Sequence, residues 1–258
     1  MTKRVRKTLY NILYVVIVIG VLLGVWAVAA LVADSEFVLP DIAQTFDTFG
    51  IVFKNPNFWR GLAGTLVRSI VGYAISLALF FVLFWLAVAF DGFAKVIEPI
   101  ISALRSLPAV AVTLILTLAV GANGTPVVLG VLVIMPIMYS SARARTATVP
   151  TELKEVARLC GANRAQTFKA LWLPCAAGGL PETLASAFSY NIKAVVGAEI
   201  LAQTADSLGM LMKLSQQYLQ TAMLIALVII AVVVAVIAET VLRLVLGFAL
   251  RKYKEAGT

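Results

Sequence analysis

Long apolar stretches, each about as long as a membrane crossing, dominate this sequence. A helix needs about 20 apolar residues to cross the hydrocarbon core of a bilayer. Apolar residues make up 61% of the 258 positions and charged residues only 13%, which is too little polar surface for a soluble domain. We therefore predict one all-α integral membrane domain over residues 1–258. Its six spans are assigned at about residues 9–33, 64–90, 100–120, 127–142, 177–202 and 221–250.

The distribution of basic residues predicts the orientation. Of the 21 Lys and Arg, 16 lie at the termini and in the segments that six spans would place on one side. Because cytoplasmic segments of membrane proteins are enriched in Lys and Arg, both termini of this multi-pass protein are predicted to be cytoplasmic. The basic residues that give the net charge of +8 lie mostly where this topology requires them, so the charge does not indicate nucleic acid binding.

Several local patterns refine this topology. The acidic, aromatic-rich residues 34–60 predict a short helix at the outer interface. Pro108 and Pro136 fall within the third and fourth predicted spans, either as packing kinks or as hinges near a translocation path. The sequence G-A-N-G-T-P at 121–126 predicts a break between those spans.

The residue inventory argues against covalent chemistry on this chain. It has no His, no cluster with metal-ligand spacing and no G-x-x-x-x-G-K-[ST] phosphate loop. Cys160 and Cys175 lie in or beside a basic, cytoplasmic segment and are predicted to be free thiols. No catalytic residue, metal site or cofactor is therefore expected, and an intramembrane enzyme is disfavoured.

One polar, basic block, residues 150–173, interrupts the apolar pattern. Pro150 can begin a helix whose apolar stripe contains Leu153, Val156, Ala157 and Cys160. Gly161 can end that helix with a positive φ, and Asn163 with Gln166 can cap a second one. Phe168, Leu171 and Trp172 would anchor the second helix, which Pro174 would end. Two short helices with a glycine bend suit a rigid segment that passes movement to the attached spans better than they suit a merely solvated loop.

The spacing within this block resembles the cytoplasmic signature of permease subunits in ABC importers, E-A-A, three residues, G, nine residues, I-x-L-P. Here Glu155, Val156 and Ala157 are followed at those spacings by Gly161 and by 171–174, L-W-L-P, with Val156 and Leu171 as mild departures. The whole chain is similar to the permeases of the alkanesulfonate, taurine and nitrate group. Supporting stretches are V-L-P at 38–40, the run at 149–162, G-A-E-I-L at 197–201 and S-L-G at 207–209.

The resemblance implies a fold and a set of partners. The fold would be the six-span type I importer permease with coupling helices between spans 4 and 5. Two permease copies, here a homodimer, would assemble in the lipid of the bacterial plasma membrane. Their partners would be two ATP-binding cassette ATPase subunits, which carry ATP and magnesium, and an extracytoplasmic substrate-binding protein. Glu155, Ala157 and Gly161 match the ATPase-coupling motif, and Glu152 and Arg158 are expected flanking contacts.

The fifth predicted span carries the candidate substrate path. Glu182, Ser186, Ser189 with Tyr190, and Lys193 recur every three to four residues and would share one helical face. A mid-membrane charge costs about 2.5–3.5 kcal/mol, so Lys193 should either pair with another span or line a path that favours anions. Glu199, near the outer end, would serve a gate or binding-protein contact, or be a plain interfacial carboxylate.

Two further charged sites in the spans are expected to be structural. Glu239 and Arg243 are four residues apart in the order that favours a helical ion pair. Arg68 is expected to extend outward from the second span towards the membrane surface.

Two function hypotheses remain. The first is the permease subunit of an ATP-driven importer for a small solute, either an anion of the sulfonate, taurine or nitrate type or a vitamin-like compound. The alternative is a stand-alone secondary transporter or channel, which would need neither an ATPase partner nor the helix at Glu155–Gly161.

Overall fold

A computed structural model describes residues 3–33, 35, 38–177 and 179–249, and every regular element in these residues is a helix. In chain order the helices are α1 (Lys3–Ala33), α2 (Ile42–Lys54), α3 (Pro56–Ala89), α4 (Asp91–Ser106), α5 (Ala109–Ala147), α6 (Thr151–Leu159), α7 (Arg164–Thr167), a π-helical turn (Phe168–Trp172), α8 (Leu173–Ala177), α9 (Leu180–Ala202), α10 (Leu208–Gln217) and α11 (Thr221–Ala249).

The chain divides into two compact units. The first combines Met1–Trp59 with Leu211–Ile229, and the second combines Arg60–Met210 with Ile230–Thr258. In the first unit, the Asp41 carboxylate accepts from the Ile42 amide at 2.6 Å and caps α2. This helix confirms the prediction of a short helical element within residues 34–60. It buries Thr45, Thr48 and Val52 on one side and exposes aromatic and apolar side chains on the other.

The second unit contains the main core, in which α5 and α9 form the most extensive helix pair. Phe80 and Phe84 of α3 pack with Ile134 and Met138 of α5, all nearly fully buried. The Tyr73 hydroxyl donates to the Leu184 carbonyl at 3.0 Å, which links α3 to α9. The 150–173 segment and the α9 face both belong to this unit.

Three helices are long and apolar enough to cross a membrane in the described residues: Pro56–Ala89, Ala109–Ala147 and Thr221–Phe248. A shorter apolar helical stretch covers Leu23–Val32 within α1. Helix α9 coincides with the predicted fifth span but contains Glu182, Lys193 and Glu199 in 23 residues. The total of six spans therefore stays a prediction.

The predicted third span differs from the observed helices. Residues 91–99, which lie between the predicted second and third spans, are helical and continue in α4 to Ser106. Pro108 lies outside a helix interior, because it caps the start of α5 after an extended Leu107. A proline ring disfavours helical conformation in the residue before it, which explains the helix boundary at this point. Pro136 does lie inside α5.

The predicted break at 121–126 is present as a kink within α5. Gly121 has φ 74° and ψ 169°, so two helical segments meet at this residue. Only glycine adopts such a conformation without a steric penalty. The Thr125 hydroxyl donates to the Gly121 carbonyl at 2.8 Å, which satisfies one backbone group at the kink.

Three hydroxyl groups in the apolar helices are satisfied within their own helix. Ser69 and Ser76 of α3 and Thr113 of α5 each donate to the carbonyl four residues earlier, at 2.7–2.8 Å. This pattern removes the cost of placing an unpaired hydroxyl in a lipid environment. These polar residues therefore fit membrane-embedded helices without marking a site.

Candidate functional site

The end of α6 has the geometry that the glycine spacing predicts. Gly161 has φ 67°, in the left-handed region, and the Ala162 amide donates to the Ala157 carbonyl at 3.1 Å. This six-to-one hydrogen bond is the Schellman arrangement that ends many helices. The glycine bend between the two short helices is thus confirmed.

The capping of the next helix is also confirmed. The Asn163 side chain accepts from the Gln166 amide at 2.9 Å, and the Gln166 side chain accepts from the Asn163 amide at 2.8 Å. This reciprocal pair satisfies two backbone donors at the start of α7.

The expectation that Pro174 ends this helix is wrong. The chain passes through the π-helical turn Phe168–Trp172 and continues as α8 to Ala177, with Pro174 inside it. A proline lacks an amide donor and its ring needs space in the preceding turn. A widened turn just before Pro174 provides that space, so the helix deforms without stopping.

The outer side of α6 is open to a partner. Glu152 and Glu155 are exposed, and Leu153 and Val156 are 48% and 54% exposed beside them. Gly161 and Cys160 are exposed as well, and Cys160 and Cys175 are free thiols as predicted. Such an apolar stripe between carboxylates is a suitable surface for a protein partner.

One predicted coupling residue, Ala157, does not lie on this outer surface. Ala157 is only half-buried and lines a cavity between α6 and the ends of α3 and α5, so its methyl group lies on the inner side of the helix. The side chain of Arg158 lies outside the described part of the chain.

The 150–173 segment is attached to the second unit by aromatic contacts. The ring of Phe168 packs edge-on against Phe84 of α3, with centroids 5.9 Å apart. Lys154 lies 5.4 Å from the Trp172 ring centre, and the Arg164 guanidinium lies 4.3 Å from the Phe90 ring centre. The Phe168 and Arg164 contacts fix the segment to the end of α3 and to Phe90, as predicted for Phe168, whereas the Lys154–Trp172 contact lies within the segment.

The candidate substrate path on α9 is partly assembled. Ser186, Tyr190 and Lys193 are exposed on one face, and Lys193 lies 5.5 Å from the Tyr190 ring centre. Glu182 is exposed on the same face. Ser189 does not join them, because it lies at the buried edge of this face at 3% exposure.

No ion pair involves Lys193 within the described part of the chain, where the pairs are Arg68–Glu199, Arg143–Glu98 and Arg243–Glu239. The last of these confirms the helical pair expected from spacing.

Glu199 is not exposed at the end of α9. Its side chain is fully buried and accepts hydrogen bonds from Thr65 at 2.8 Å, from Arg68 at 3.1 Å and from the Gly209 amide at 3.3 Å. The Arg68 guanidinium additionally donates to the Ala205 and Asp206 carbonyls, which follow the end of α9, and its extension towards the membrane surface stays a prediction. Hydrogen bonds to a charged group are electrostatically stronger in a protein interior than in water, so these donors offset part of the cost of burying the carboxylate.

This network, which we call the Glu199 cluster (Thr65, Arg68, Glu199 and Gly209), ties α3 to the α9–α10 turn. It was not predicted as a unit. The sequence signals were the G-A-E-I-L and S-L-G stretches, but Thr65 and Arg68 lie more than 130 positions from Glu199. The close approach requires glycine, because a Cβ at Gly209 would lie 2.4 Å from the Cβ of Glu199 and 2.7 Å from the Ile200 amide.

Replacing Gly209 with alanine is therefore expected to destabilise the protein. The added methyl must displace the backbone at Ile200, and such overpacking costs about 1–3 kcal/mol. Gly197→Ala is the matched control, since a Cβ there meets nothing within 4 Å. Thermal unfolding of both variants in detergent checks this, and equal unfolding temperatures would contradict the close approach.

The described residues contain no group of three or more His, Cys, Asp or Glu that could hold a metal ion. The exposed surfaces described above are a carboxylate-flanked apolar helix, a hydroxyl-bearing face with one lysine, and a cation-lined cavity.

A family model described as the binding-protein-dependent transport system inner membrane component matches residues 91–253. The chain belongs to this family. The match contains the whole 150–173 segment and the α9 face, so both candidate sites lie within its family region. The protein is accordingly a membrane permease subunit of the ABC-importer type. No curated protein matches the chain significantly.

Solved structures support the same fold. A bacterial alginate ABC transporter in complex with an alginate pentasaccharide-bound periplasmic protein aligns over 97% of this chain and 96% of its own, with TM-score 0.65 and 17% identity. An amino acid ABC transporter with histidines aligns over 79% and 97%, with TM-score 0.61 and 17% identity. The MetNI methionine ABC transporter in an inward-facing conformation aligns over 72% and 93%, with TM-score 0.52 and 21% identity.

Proposed function

We propose that this permease imports a small solute by using ATP hydrolysis on separate ATPase subunits, and that the 150–173 segment transmits their movement. The observation that carries this proposal is the exposed outer side of α6, on a segment that is fixed to the long helices from its inner side. A transmitter needs both properties, because a partner must reach it and the membrane helices must follow it.

The coupling contacts are assigned to the accessible residues. Glu152 and Glu155 would meet basic groups of the ATPase, and Leu153 and Val156 would fill an apolar cleft. Ala157 would contribute from the inner side of α6, where its small side chain leaves the cavity open. Gly161 would hold the bend at the end of α6, and Arg158 is kept as a flanking contact.

The assembly would contain two copies of this chain, two ATPase subunits with ATP and magnesium, and an extracytoplasmic substrate-binding protein. Six spans would place both termini and the 150–173 segment in the cytoplasm, as the distribution of Lys and Arg favours. Closure of the two ATPases would then pull on paired segments and alternate the access of a path between the two permeases.

The solute is proposed to be an anion of the sulfonate, taurine or nitrate type. Lys193 supports this, because its charge lies midway along α9 with hydroxyl groups of Ser186 and Tyr190 on the same exposed face. A cation within a membrane-spanning helix should face a cavity or a partner. A path lined in this way would attract an anion and orient it by hydrogen bonds.

Replacing Lys193 with methionine tests the charge at nearly constant size. We expect uptake of an anionic solute to fall by about ten-fold or more, as for the loss of one charged hydrogen bond. Lys54→Met, at the exposed end of α2, is the control and should leave uptake unchanged. Unchanged uptake with a lower unfolding temperature in Lys193→Met would instead indicate a structural role.

The composition of the native complex tests the proposed function directly. The tagged chain would be cross-linked in its native membranes, extracted in mild detergent and weighed by native mass spectrometry. Two copies of this chain with two ATPase subunits are expected, and a retained binding protein could be used to screen solutes. A complex that lacks an ATPase after cross-linking would overturn the proposal in favour of a secondary transporter or channel.

A further inference from the structure

A cation-lined cavity of about 520 Å³ lies between the 150–173 segment and the ends of α3 and α5. Its lining includes Arg143 from α5, Lys154 from α6, Arg164 from α7 and the Trp172 side chain, together with small residues such as Ala87 and Ala147. No carboxylate lines it among the described residues. Three separate parts of the chain thus direct positive charge towards one space.

Only one of the three cations is compensated within the described chain. Arg143 pairs with Glu98 through its Nε and Nη2 atoms, at 2.9 and 2.6 Å. Lys154 and Arg164 take part in no ion pair of the described residues and instead lie against the aromatic rings of Trp172 and Phe90. Aromatic faces hold a cation in place but do not neutralise it.

Uncompensated like charges around a small cavity favour an anionic ligand. They repel one another across a low-dielectric wall, and an anion between them removes that repulsion. Arginine and lysine together suit phosphate groups, because guanidinium donors match phosphate oxygens and an ammonium adds a point charge. The volume is in the range of small-ligand sites.

We propose that this cavity binds a phosphate-bearing anion, held by Lys154 and Arg164 with Arg143 at its wall. The ligand is either a soluble phosphate compound or the headgroup of an anionic lipid, since basic pockets at the cytoplasmic ends of membrane helices bind such headgroups. An occupant would bridge α6 and α7 to the ends of α3 and α5. Any effect of the bound anion on ATPase coupling rests on the proposed function, whereas the binding of the anion does not.

Two binding measurements on the purified full chain distinguish the two sources. Native mass spectrometry compares the retention of phosphatidylglycerol with that of phosphatidylcholine. Thermal unfolding in detergent compares sodium phosphate with sodium chloride at equal ionic strength. Phosphatidylglycerol retention without a phosphate effect assigns a lipid headgroup, and a phosphate effect alone assigns a soluble ligand. If both effects are seen, the phosphate group itself is what binds. If both effects are absent, the proposal is overturned.

A pair of charge-matched double variants tests the location. Lys154→Gln with Arg164→Gln removes two charges from the cavity, and Lys169→Gln with Arg105→Gln removes two exposed charges that do not line it. We expect the cavity variant to bind at least about ten-fold more weakly, and the control to change by less than about two-fold. Equal weakening in both would mean general surface attraction and would overturn the site.

Because Arg164 is exposed, the single variant Arg164→Gln is expected to fold even if the double variant does not. It should weaken binding in the same direction, and unchanged binding would exclude Arg164 from the site. These measurements need no ATPase, so their failure would leave the proposed coupling function standing.

Discussion

Replacing Glu199 with alanine is expected to lower the free energy of unfolding by about 3–5 kcal/mol, the usual cost of removing one partner of a buried ion pair. The carboxylate is fully buried, so Arg68 would lose its counter-charge, while Thr65 and the Gly209 amide would lose their acceptor. Equilibrium unfolding of the detergent-solubilised protein measures the difference.

Two further variants separate the causes. Glu199→Gln keeps an oxygen acceptor for Thr65 and Gly209 but removes the charge, so we expect a smaller loss than for alanine. Glu239→Ala breaks a pair whose arginine is 54% exposed, and about 0–1 kcal/mol is expected for such a pair. If Glu199→Ala lowered the free energy of unfolding no more than Glu239→Ala does, the Glu199 cluster would not contribute to stability.

The Glu199 cluster illustrates what the sequence could not predict. Apolar patterning locates the helix that carries Glu199, since patterning depends on neighbours along the chain. The partners of a buried carboxylate depend instead on which helices pack together, and Arg68 lies on a helix 131 positions earlier. Without that information, the sequence does not predict that the two residues form a pair.

The 150–173 segment was predicted more fully because its structure is local. The left-handed Gly161 and the Asn163–Gln166 cap involve residues within five positions of one another. Local hydrogen bonds of this kind follow from residue type and spacing. The π-helical turn before Pro174 and the cavity behind α6 were missed, because both depend on how the segment packs against α3 and α5.

The α9 face lies between these cases. Helical periodicity placed Ser186, Tyr190 and Lys193 together, and the structure exposes all three. The same periodicity included Ser189, which is adjacent to Tyr190 in sequence but points into the core. A spacing of three or four residues defines a broad stripe, and only packing against α5 decides which edge of that stripe is buried.

Replacing Glu155 with lysine is expected to abolish the stimulation of ATP hydrolysis by substrate while leaving membrane insertion intact. The side chain is exposed on α6, so the fold does not depend on its charge. In the proposed interface a reversed charge would face basic groups of the ATPase. We expect at least about a ten-fold loss of stimulated hydrolysis, since losing one interfacial charge pair costs about 2–5 kcal/mol. ATP hydrolysis by the reconstituted complex measures this.

A second variant and a control make this test specific. Gly161→Pro should have the same effect by another route, because proline fixes φ near −65° whereas Gly161 has φ 67°. The end of α6 would then be redirected without any change of charge. Asp47→Lys reverses an exposed carboxylate on α2, in the first unit, and should leave hydrolysis unchanged. Normal substrate-stimulated hydrolysis in both Glu155→Lys and Gly161→Pro would remove α6 from the ATPase interface, because a docking helix can tolerate neither a reversed charge at its centre nor a broken end.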